Sequence, residues 1–502
     1  MVFWCSLELL IFIPTLLVVL GLYMSSSKNT STLLPLKWPL VGILPSLVPC
    51  LYRLHHSTFK RLETSGHSHK YGIANIRIFM TCDPANIQHI LSLNHANYPK
   101  GDEFAEIFDV TRGSLFTADG EPCRRMRASY QGVLRNQQLV GLMTKCCLDK
   151  VENGLLPLMA YMAETSAPVD MSDLMTRLVF DLYATAIFGV DPARLSLHMP
   201  QMAVSNAMDT VMEVGLVRQI VPATCWKVMR RLNIGPEKRL AAAQAVLRCF
   251  TTDMIKERRR RRRNNGHDVI SQDHVDVLSN YINDPDYNDD LLQATLISYM
   301  IAGRDTISTT LPWIFYRLAK DPRVVSSIRD ELAPIMSRKA TTTIGAEDTK
   351  HLMYLEAVLL ETLRLYPPIP VERKSVAAHD VMPSGHTVSP GDTVLVSIYS
   401  VGRIEAVWGS DCREYRPDRW LSEDGRQLRH VPSHKFPAFN SGPRLCLGKD
   451  IAITHLKIIV AAVVWNFDVI VLDGQAINKK LSCLLQMNKG LKVNLKKREM
   501  QV

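Results

Sequence analysis

Apolar residues recur at helical spacing along most of the chain, and three segments carry this pattern most clearly. Residues 288–320 begin with acidic side chains, continue with apolar residues at helical spacing and end with a basic residue. This order predicts one long, buried helix, because acidic groups stabilise the start of a helix and basic groups its end. A second helix is predicted over residues 350–366, where Pro367 and Pro368 stop it, and a third over residues 449–465.

Strand-like segments are few and short beside these helices. Examples are residues 392–400, with the sequence DTVLVSIYS, and residues 492–496, with the sequence KVNLK. The pattern therefore predicts a mainly α fold with small β-sheets.

The N-terminus carries a different hydrophobic pattern. Residues 9–24, LLIFIPTLLVVLGLYM, contain no charge and come close to the ~20 residues that span a bilayer. We predict a transmembrane signal anchor over residues 1–27. A cleaved signal peptide is the alternative, supported by the small residues 25–27, although the usual basic segment before it is missing.

Charges around this segment predict the orientation of the anchor. Lys28 and Lys37 follow the apolar run and no lysine or arginine precedes it, which leaves the N-terminus in the lumen and the remainder in the cytosol. Residues 28–46 contain three prolines and form a stiff, non-helical tether. A single catalytic body is predicted over residues 47–502, because no Gly/Ser-rich linker or internal repeat divides it.

Composition narrows the class of protein. The chain has 502 residues, of which 47% are hydrophobic and 22% charged, as in globular proteins with a large core. Its 11 cysteines are odd in number and scattered, with no CxxC pair, which argues against a disulfide framework or a zinc ribbon and fits a reducing compartment.

The formal charge of +10 owes much to the arginine run 258–263. We interpret this run as the solvated end of a helix; attraction to an anionic membrane surface is the main alternative. It also resembles a nuclear-localisation patch, but no aromatic residues are interleaved for base stacking, and no nucleic-acid partner is predicted.

Two other candidate chemistries, a di-iron site and a dinucleotide site, are not supported by the sequence. His55, His56, His67 and His69 lack the HxxxH or HxxHH spacing of di-iron hydroxylases and are interpreted as surface residues. A Gly-rich dinucleotide fingerprint is also missing, so NADPH is expected to bind to a separate protein.

Polar and glycine residues interrupt the predicted helices at defined places. Gly303 costs about 1 kcal/mol relative to alanine inside the long helix, and such a cost is tolerated where something approaches the backbone closely. Glu361 and Arg364 share one face of the second helix, where they can pair. Cys446 stands alone in the loop FNSGPRLCLG, with Arg444 two residues before it.

The order AGRDT (302–306), ETLR (361–364), PDRW (417–420) and FNSGPRLCLG (439–448) resembles the cytochrome P-450 superfamily of haem-thiolate monooxygenases. The last segment matches the family pattern Phe-x-x-Gly-x-Arg-x-Cys-x-Gly at every fixed position. The resemblance covers the chain from the anchor to the C-terminus and implies the cytochrome P-450 fold, with a long central helix over haem b.

The resemblance implies that Cys446 is the proximal ligand of the haem iron and therefore the metal-binding residue. Gly442 and Gly448 would allow tight turns near the porphyrin, and Phe439 would cover the sulfur. Arg444 would bind a haem propionate as a charge-assisted pair.

A buried charge network and a distal oxygen-activating pair follow from the same resemblance. Glu361, Arg364 and Arg419 would hold the cysteine loop in place. Asp305 and Thr306 would act as the acid and alcohol that deliver protons, and Gly303 would leave the groove in which dioxygen sits.

The chain departs from the family pattern in one place. The family usually has a tryptophan four residues before an arginine, and here Cys123 precedes Arg127 at that spacing. Propionate binding would then rest on Arg127, Arg444 and one of Arg373 or Lys374.

The resemblance also implies the partners. Dioxygen and NADPH are the co-substrates, and electrons from NADPH arrive through a separate flavoprotein reductase that docks near Lys435 and Lys449. The expected location is the endoplasmic reticulum membrane, through a single span, with the catalytic body facing the cytosol.

The substrate is expected to be a hydrophobic small molecule. AGRDT, NYPKGDEF, MPSGH and the cysteine loop look most like the plant fatty-acid and alkane hydroxylases, nearest the mid-chain alkane hydroxylase branch, which implies a long acyl or alkyl chain. Oxidation or phenol coupling of an aromatic or alkaloid intermediate remains open, and a catalytically silent haem protein is a third reading. The expected pocket residues are Phe104, Phe108, Phe116, Ile297, Met300, Ile301, Ile369 and Met487, although about half of them are expected simply to fill the core.

Overall fold

The structure is a computed structural model that describes residues 53–73, 76–264, 276–338 and 343–499. The anchor predicted over residues 1–27 and the tether predicted over residues 28–46 lie outside the described residues. Within the described ranges, no helix combines the length and the hydropathy needed to cross a bilayer.

Helices make up most of the described chain. In chain order they are α1 Leu54–Thr64, α2 Pro84–Gln88, α3 Gly101–Ile107, α4 Gly120–Arg135, α5 Gln137–Asp149, α6 Leu156–Glu164, α7 Met171–Phe188, α8 Ala203–Ile220, α9 Ala223–Leu232, α10 Gly235–Asn264, α11 Val277–Tyr281, α12 Asp289–Met300, α13 Thr306–Lys320, α14 Pro322–Met336, α15 Met353–Leu365, α16 Ile398–Val401, α17 Glu405–Trp408 and α18 Lys449–Asn466.

The strands form small sheets at the edges of this helical body. They are β1 Ser68–Ile73, β2 Ile76–Thr81, β3 Val169–Asp170, β4 Val371–Ser375, β5 Asp380–Val381, β6 Thr387–Val388, β7 Thr393–Ser397, β8 Phe467–Val471 and β9 Lys492–Lys497. One sheet has four strands in the order β1-β2-β7-β4, a second has the order β3-β9-β8, and β5 pairs with β6. In the four-stranded sheet β2 runs parallel to β7, and β4 runs antiparallel to it.

The predicted long helix is present but is divided by a π-helical turn. Helix α12 begins after Asn288, whose side chain accepts a hydrogen bond from Leu291 N at 2.9 Å, and continues through the π-turn Ile301–Asp305 into α13. The interruption falls on the residues AGRD that the sequence marks as polar within an apolar helix. Such turns are often found at functional sites.

The core surrounds α12 and α13. Both helices pack against α7, whose side chains are buried on nearly every face, and α13 also contacts α15 and α18. The second and third predicted helices are confirmed as α15 and α18, with a 3₁₀ turn, Glu347–His351, before α15. The mainly α fold with small sheets is likewise observed.

The arginine run ends helix α10, as predicted, but its first member is not solvated. Arg258 is buried and donates from Nη2 to Asp276 Oδ2 at 2.6 Å and to the carbonyl oxygen of Phe188. Arg260 and Arg261 pair with Glu257 on the exposed side of the helix. The correction follows from α7 and α11, which lie against the end of α10 and supply the acceptors for one guanidinium.

Candidate functional site

The cysteine loop is closed by its own backbone. Two 3₁₀ turns, Pro437–Phe439 and Gly442–Arg444, precede Cys446, and Cys446 N donates to the carbonyl oxygen of Phe439 at 2.8 Å. This bond holds the thiol of Cys446 at an exposed position at the end of the loop. Helix α18 begins at Lys449, three residues after Cys446.

Gly442 is required by the geometry of the loop. It has φ +60°, and a side chain there would meet the carbonyl oxygen of Leu91 and lie 2.9 Å from Ser92 Cα. Glycine thus allows the loop to approach the chain after α2. Gly448 has φ −95°, a conformation that any residue can adopt. We expected this glycine to allow a tight turn, but its backbone conformation does not require glycine.

Cys446 lies beside helix α4. Its side chain lines a cavity of about 470 Å³ together with Arg127 and residues of α5 and α18. Arg127 donates from Nη2 to the carbonyl oxygen of Leu445, which joins α4 to the cysteine loop. Although the thiol is accessible from the cavity, the surrounding atoms desolvate it and raise its pKa; the backbone N–H of Gly448 and the charge of Arg127 act in the opposite direction.

A cluster of charged residues surrounds Arg444 of the loop. Arg444 donates to Asp119 Oδ1 at 2.6 Å, and Lys374 Nζ lies 3.0 Å from Glu372 Oε1. Lys100 donates from Nζ to the carbonyl oxygen of Phe116 and interacts electrostatically with all four of these residues. Burial, together with the cations Lys374 and Arg444, lowers the pKa of Lys100 to about 8, although the carboxylates Glu372 and Asp119 act in the opposite direction.

The side chains of the two cations on strand β4, Arg373 and Lys374, lie on opposite faces of the strand. Lys374 joins this charged cluster, whereas Arg373 donates from Nη2 to Glu103 and Thr393 and lines a different cavity. The structure therefore favours Lys374 over Arg373 as a propionate ligand. Lys100 was missed by the sequence reasoning; its only signal is a lysine within the NYPKGDEF segment used for the resemblance.

The predicted network is present, and its two members on α15, Glu361 and Arg364, are fully buried. Glu361 and Arg364 form a two-pronged ion pair, with both N–O distances at 2.7 Å, and Arg419 Nε lies 3.0 Å from Glu361 Oε1. Trp420 Nε1 and Arg416 N also donate to the Glu361 carboxylate. The network therefore joins α15 to the segment that carries PDRW.

Asp305 and Thr306 point to different sides of the interrupted helix. Thr306 donates from Oγ1 to the carbonyl oxygen of Ala302 at 2.8 Å, and both residues lie on the more exposed face. Asp305 is fully buried and accepts from Arg304 Nη1 at 2.6 Å, while its Oδ2 has no hydrogen-bond partner among the described residues. The Arg304 guanidinium also donates to Asp209 on α8 at 2.7 Å.

This arrangement changes the acidity of Asp305. Burial, together with the like charge of Asp209, raises the pKa of Asp305 to about 6, although the charge of Arg304 acts in the opposite direction. One guanidinium is shared between two carboxylates, so the Arg304 charge compensates the Asp305 charge only in part. The carboxyl group can then exchange a proton close to neutral pH.

Glycine is required at position 303 because the side chain of another residue, Tyr183, lies close to its backbone. A side chain at Gly303 would overlap the ring of Tyr183 on α7, with the ring carbon Cζ 2.8 Å from the position of Cβ. The Tyr183 ring thus explains why residue 303 is glycine, and the expectation that Gly303 leaves a groove for dioxygen stays a prediction. The Tyr183 hydroxyl lies 3.4 Å from Nδ1 of His455, a buried residue on α18.

Three of the expected pocket residues form a compact aromatic cluster. The ring centroids of Phe104, Phe108 and Phe116 lie 4.9 to 5.5 Å apart. Lys100 Nζ lies within 4.7 Å of the centres of the Phe104 and Phe116 rings. The aromatic cluster thus adjoins the charged cluster through one lysine.

The other expected pocket residues are placed less consistently. Ile297, Met300, Ile301 and Met487 are buried in the main hydrophobic core, whereas Ile369 is 38% exposed. Neither of the two cavities described above is lined by any of the eight expected residues.

The remaining predicted residues differ in their exposure to solvent. Cys123 is buried on α4, one helical turn before Arg127. Lys435 and Lys449 are exposed, and Lys449 Nζ lies 5.6 Å from the centre of the Phe439 ring, next to the cysteine loop. Of the four histidines considered above, His56 is exposed, whereas His55 is half-buried and burial lowers the pKa of His55 to about 3. The described part of the chain contains no group of three or more His, Cys, Asp or Glu side chains placed to hold a metal ion.

The donor set fits a haem group. A thiolate is a strong iron ligand, and Cys446 presents an accessible sulfur on a loop closed by backbone bonds. Lys100, Lys374 and Arg444 provide three cations against the two carboxylates Glu372 and Asp119. This excess of positive charge suits the propionate groups of a porphyrin.

Comparison with known proteins is consistent with this arrangement. The family model described as Cytochrome P450 matches residues 33–495. Noroxomaritidine synthase 2 of Narcissus aff. pseudonarcissus MK-2014 is 33% identical over 507 residues, covering 98% of this chain and 96% of that protein. Alkane hydroxylase MAH1 of Arabidopsis thaliana is 34% identical, covering 92% and 93%, and Cytochrome P450 86B1 of the same plant is 34% identical, covering 91% and 85%.

Proposed function

Because the chain belongs to the cytochrome P450 family, we propose that this oxidoreductase hydroxylates a long-chain fatty acid or alkane, inserting one oxygen atom of O₂ with electrons that originate from NADPH. One observation carries the proposal: the accessible Cys446 thiol ends a loop whose neighbours, Arg444 and Lys374, supply cations for a porphyrin.

In this proposal Cys446 binds the haem iron through Sγ. Lys100, Lys374, Arg444 and Arg127 hold the propionates, and Phe439 packs beside the loop. When bound, the haem with its thiolate ligand supplies the activation of dioxygen. The protein contributes the geometry, because the bond from Cys446 N to Phe439 O fixes the position of the sulfur.

Thr306 and Asp305 handle protons. The Thr306 hydroxyl donates to Ala302 O and retains lone pairs that can accept a hydrogen bond at Oγ1. Asp305 has a pKa raised to about 6, which suits a group that takes up and releases protons near neutral pH. Arg304 holds its carboxylate in place.

Two observations support an alkyl or acyl substrate. The Phe104–Phe108–Phe116 cluster places apolar side chains beside the charged cluster, and apolar side chains favour contact with an alkyl chain through the hydrophobic effect. One relative with 34% identity carries the name alkane hydroxylase.

Oxidation or phenol coupling of an aromatic or alkaloid intermediate is the second candidate. It is favoured by relatives that carry the name noroxomaritidine synthase and are 33% identical over almost the whole chain. Both reactions use the same cofactor residues, so the difference lies in the ligand that the enzyme accepts.

The partner and the location belong to the same proposal. Lys435 and Lys449 are exposed beside the cysteine loop and suit the acidic surface of an NADPH-dependent flavoprotein reductase. The apolar residues 9–24 would anchor the chain in the endoplasmic reticulum membrane, with the catalytic body in the cytosol.

The first experiment tests the cofactor. The reduced, carbon-monoxide difference spectrum of the full chain in membranes is compared with Cys446→Ala and with Cys225→Ala, a control at an exposed cysteine on α9. We expect the red-shifted band typical of thiolate-bound haem in the wild type and in Cys225→Ala, and its loss in Cys446→Ala. A band typical of imidazole ligation in the wild type would overturn the ligand assignment.

The second experiment tests the substrate class. Hexadecane, palmitic acid and a small phenolic amine are titrated into the haem-loaded enzyme, and the spin state of the iron is followed by absorption. A shift with the chain ligands, together with NADPH-dependent oxygen consumption in the presence of the reductase, supports the hydroxylase. A shift with the phenolic amine alone would favour the second candidate.

A further inference from the structure

Arg373 is a buried cation that lines a cavity. Side chains alternate along a strand, so Val371 and Arg373 of β4 point to one side of the sheet and Glu372 and Lys374 to the other. Val371 and Arg373 line a cavity of about 160 Å³. The same strand thus gives Lys374 to the charged cluster beside the cysteine loop and Arg373 to a separate cavity.

The guanidinium of Arg373 is only partly satisfied. The residue is 5% exposed, and its hydrogen bonds run from Nη2 to Glu103 and, at 3.2 Å, to Thr393 Oγ1. The buried Nε has no hydrogen-bond partner among the described residues. Burial lowers the pKa of Arg373 even though Glu103 acts against this, so the buried charge is not fully compensated. Leaving a buried charged donor without an acceptor is costly.

The cavity has apolar walls and is too small for a whole long-chain ligand. Leu216, Ile220 and Leu395 are among the apolar residues that line it with Val371. Its volume of about 160 Å³ is below the ~300–1,000 Å³ of complete small-molecule sites, so it suits one end of a longer molecule.

The cavity lies next to the aromatic cluster of the proposed substrate site, with Gly215 and Cys483 packed between them. Cys483 lines the cavity, and the position of a Cβ on Gly215 lies 3.5 Å from Cys483 Sγ and 2.8 Å from a ring carbon of Phe108. Glu103, the partner of Arg373, is the neighbour of Phe104 on α3. A chain lying along the phenylalanines would therefore have its end close to Arg373.

We propose that Arg373 binds the carboxylate of a long-chain acid substrate and so selects acids over alkanes of the same length. This inference rests on the proposed function. A guanidinium matches two carboxylate oxygens, and a carboxylate supplies the acceptor that Nε lacks, whereas an alkane leaves that donor unpaired.

The test compares ligands that differ only at one end. Palmitic acid, methyl palmitate and hexadecane are titrated into the full-length, haem-loaded enzyme, and their dissociation constants are taken from the spin-state change. For the wild type we expect palmitic acid to bind about 10- to 100-fold more tightly than methyl palmitate, the range expected of a charge-assisted hydrogen bond.

Three variants locate the effect. Arg373→Leu is expected to abolish the preference for the acid while retaining hexadecane binding, and Arg373→Lys, which keeps the charge without the planar fork, to retain part of it. Arg61→Leu removes the other arginine that lines the cavity and is expected to keep the full preference. The carbon-monoxide spectrum verifies that each variant carries haem.

The outcomes separate this inference from the proposed function. An acid preference that persists in Arg373→Leu, or that disappears in Arg61→Leu, would overturn the assignment to Arg373. Equal binding of acid, ester and alkane by the wild type would overturn it as well, while the alkyl-chain hydroxylase would stand. If none of the three chains changes the spin state, the proposed function fails and this inference fails with it.

Discussion

Arg304 donates from Nη1 to Asp209 Oδ1 at 2.7 Å, and this contact joins helix α8 to the interrupted helix that carries Asp305 and Thr306. The same nitrogen donates to Asp305 Oδ1 at 2.6 Å. Asp209 also lies 3.7 Å from Lys480, in the segment between β8 and β9. A residue on α8 can therefore change the electrostatics of the Asp305 carboxylate.

We predict that Asp209→Asn lowers the pKa of Asp305 by about 1 unit, because it removes the like charge that helps to raise it. The limb of the pH profile of NADPH-dependent oxidation that follows Asp305 should move to lower pH. A raised carboxyl pKa also stabilises the fold at low pH: this contribution to the free energy of unfolding is complete below about pH 4 and is lost as the pH rises through about 6. In Asp209→Asn this loss should occur at a lower pH.

Glu213→Gln is the matched control for that experiment. Glu213 is on the same helix and pairs with Arg239 and Lys480, but it makes no ion pair with Arg304. Equal displacement of both pH profiles by the two variants would show that the effect is not specific to the Arg304 contact.

We predict that Gly303→Ala destabilises the enzyme by about 1 to 3 kcal/mol, because the added methyl group overlaps the Tyr183 ring. In a Tyr183→Ala background the same substitution should cost almost nothing, since the space is then free. The measurement is the free energy of unfolding of all four proteins by denaturant titration. Gly141→Ala on α5, where a side chain would meet nothing within 4 Å, should be neutral or stabilising. An equal cost of Gly303→Ala in both backgrounds would contradict the proposed contact.

We predict that a substitution in the Glu361 network causes a loss of folded protein rather than slow catalysis. Glu361→Gln leaves Arg364 and Arg419 with an incomplete partner in a buried site, which usually costs about 3 to 5 kcal/mol. We expect lower thermal stability and less haem per chain. Glu347→Gln removes a carboxylate from an exposed pair with Lys350 and should change stability by less than about 0.5 kcal/mol. A stable Glu361→Gln enzyme with full haem content would show that the network is dispensable.

Lys100 is predicted to hold a propionate, although the sequence did not single it out. Lys100→Met should speed the transfer of haem to excess apomyoglobin about 10- to 100-fold, because it removes one charge-assisted hydrogen bond. Lys350→Met, at an exposed lysine, serves as the control and should transfer haem at the wild-type rate. Unchanged transfer from Lys100→Met would remove Lys100 from the cofactor site.

Local pattern was sufficient for the elements and motifs that one segment determines by itself. Periodicity predicted the long helix, α15 and α18, and the polar residues of AGRDT marked the place where the helix is interrupted. The spacing of Glu361 and Arg364 likewise predicted an ion pair, since residues three positions apart on a helix lie on the same face.

Long-range contacts were beyond that pattern. Arg304 pairs with a residue 95 positions away, and Gly303 is explained by a ring on another helix; neither partner carries a signal in the local sequence. The choice between Arg373 and Lys374 depends on which face of β4 meets which neighbour, and a short strand with charged residues on both faces does not show this by itself.

The alternation along β4 has a consequence for how this enzyme can evolve. Two adjacent codons serve two separate demands, because position 374 keeps a cation beside the cysteine loop and position 373 meets the ligand cavity. With the roles proposed for Arg373 and Lys374, a single substitution at 373 would redirect the enzyme to a new class of substrate while its neighbour continued to retain the cofactor. A lineage built on this strand would then change its substrate in one step without passing through an inactive ancestor.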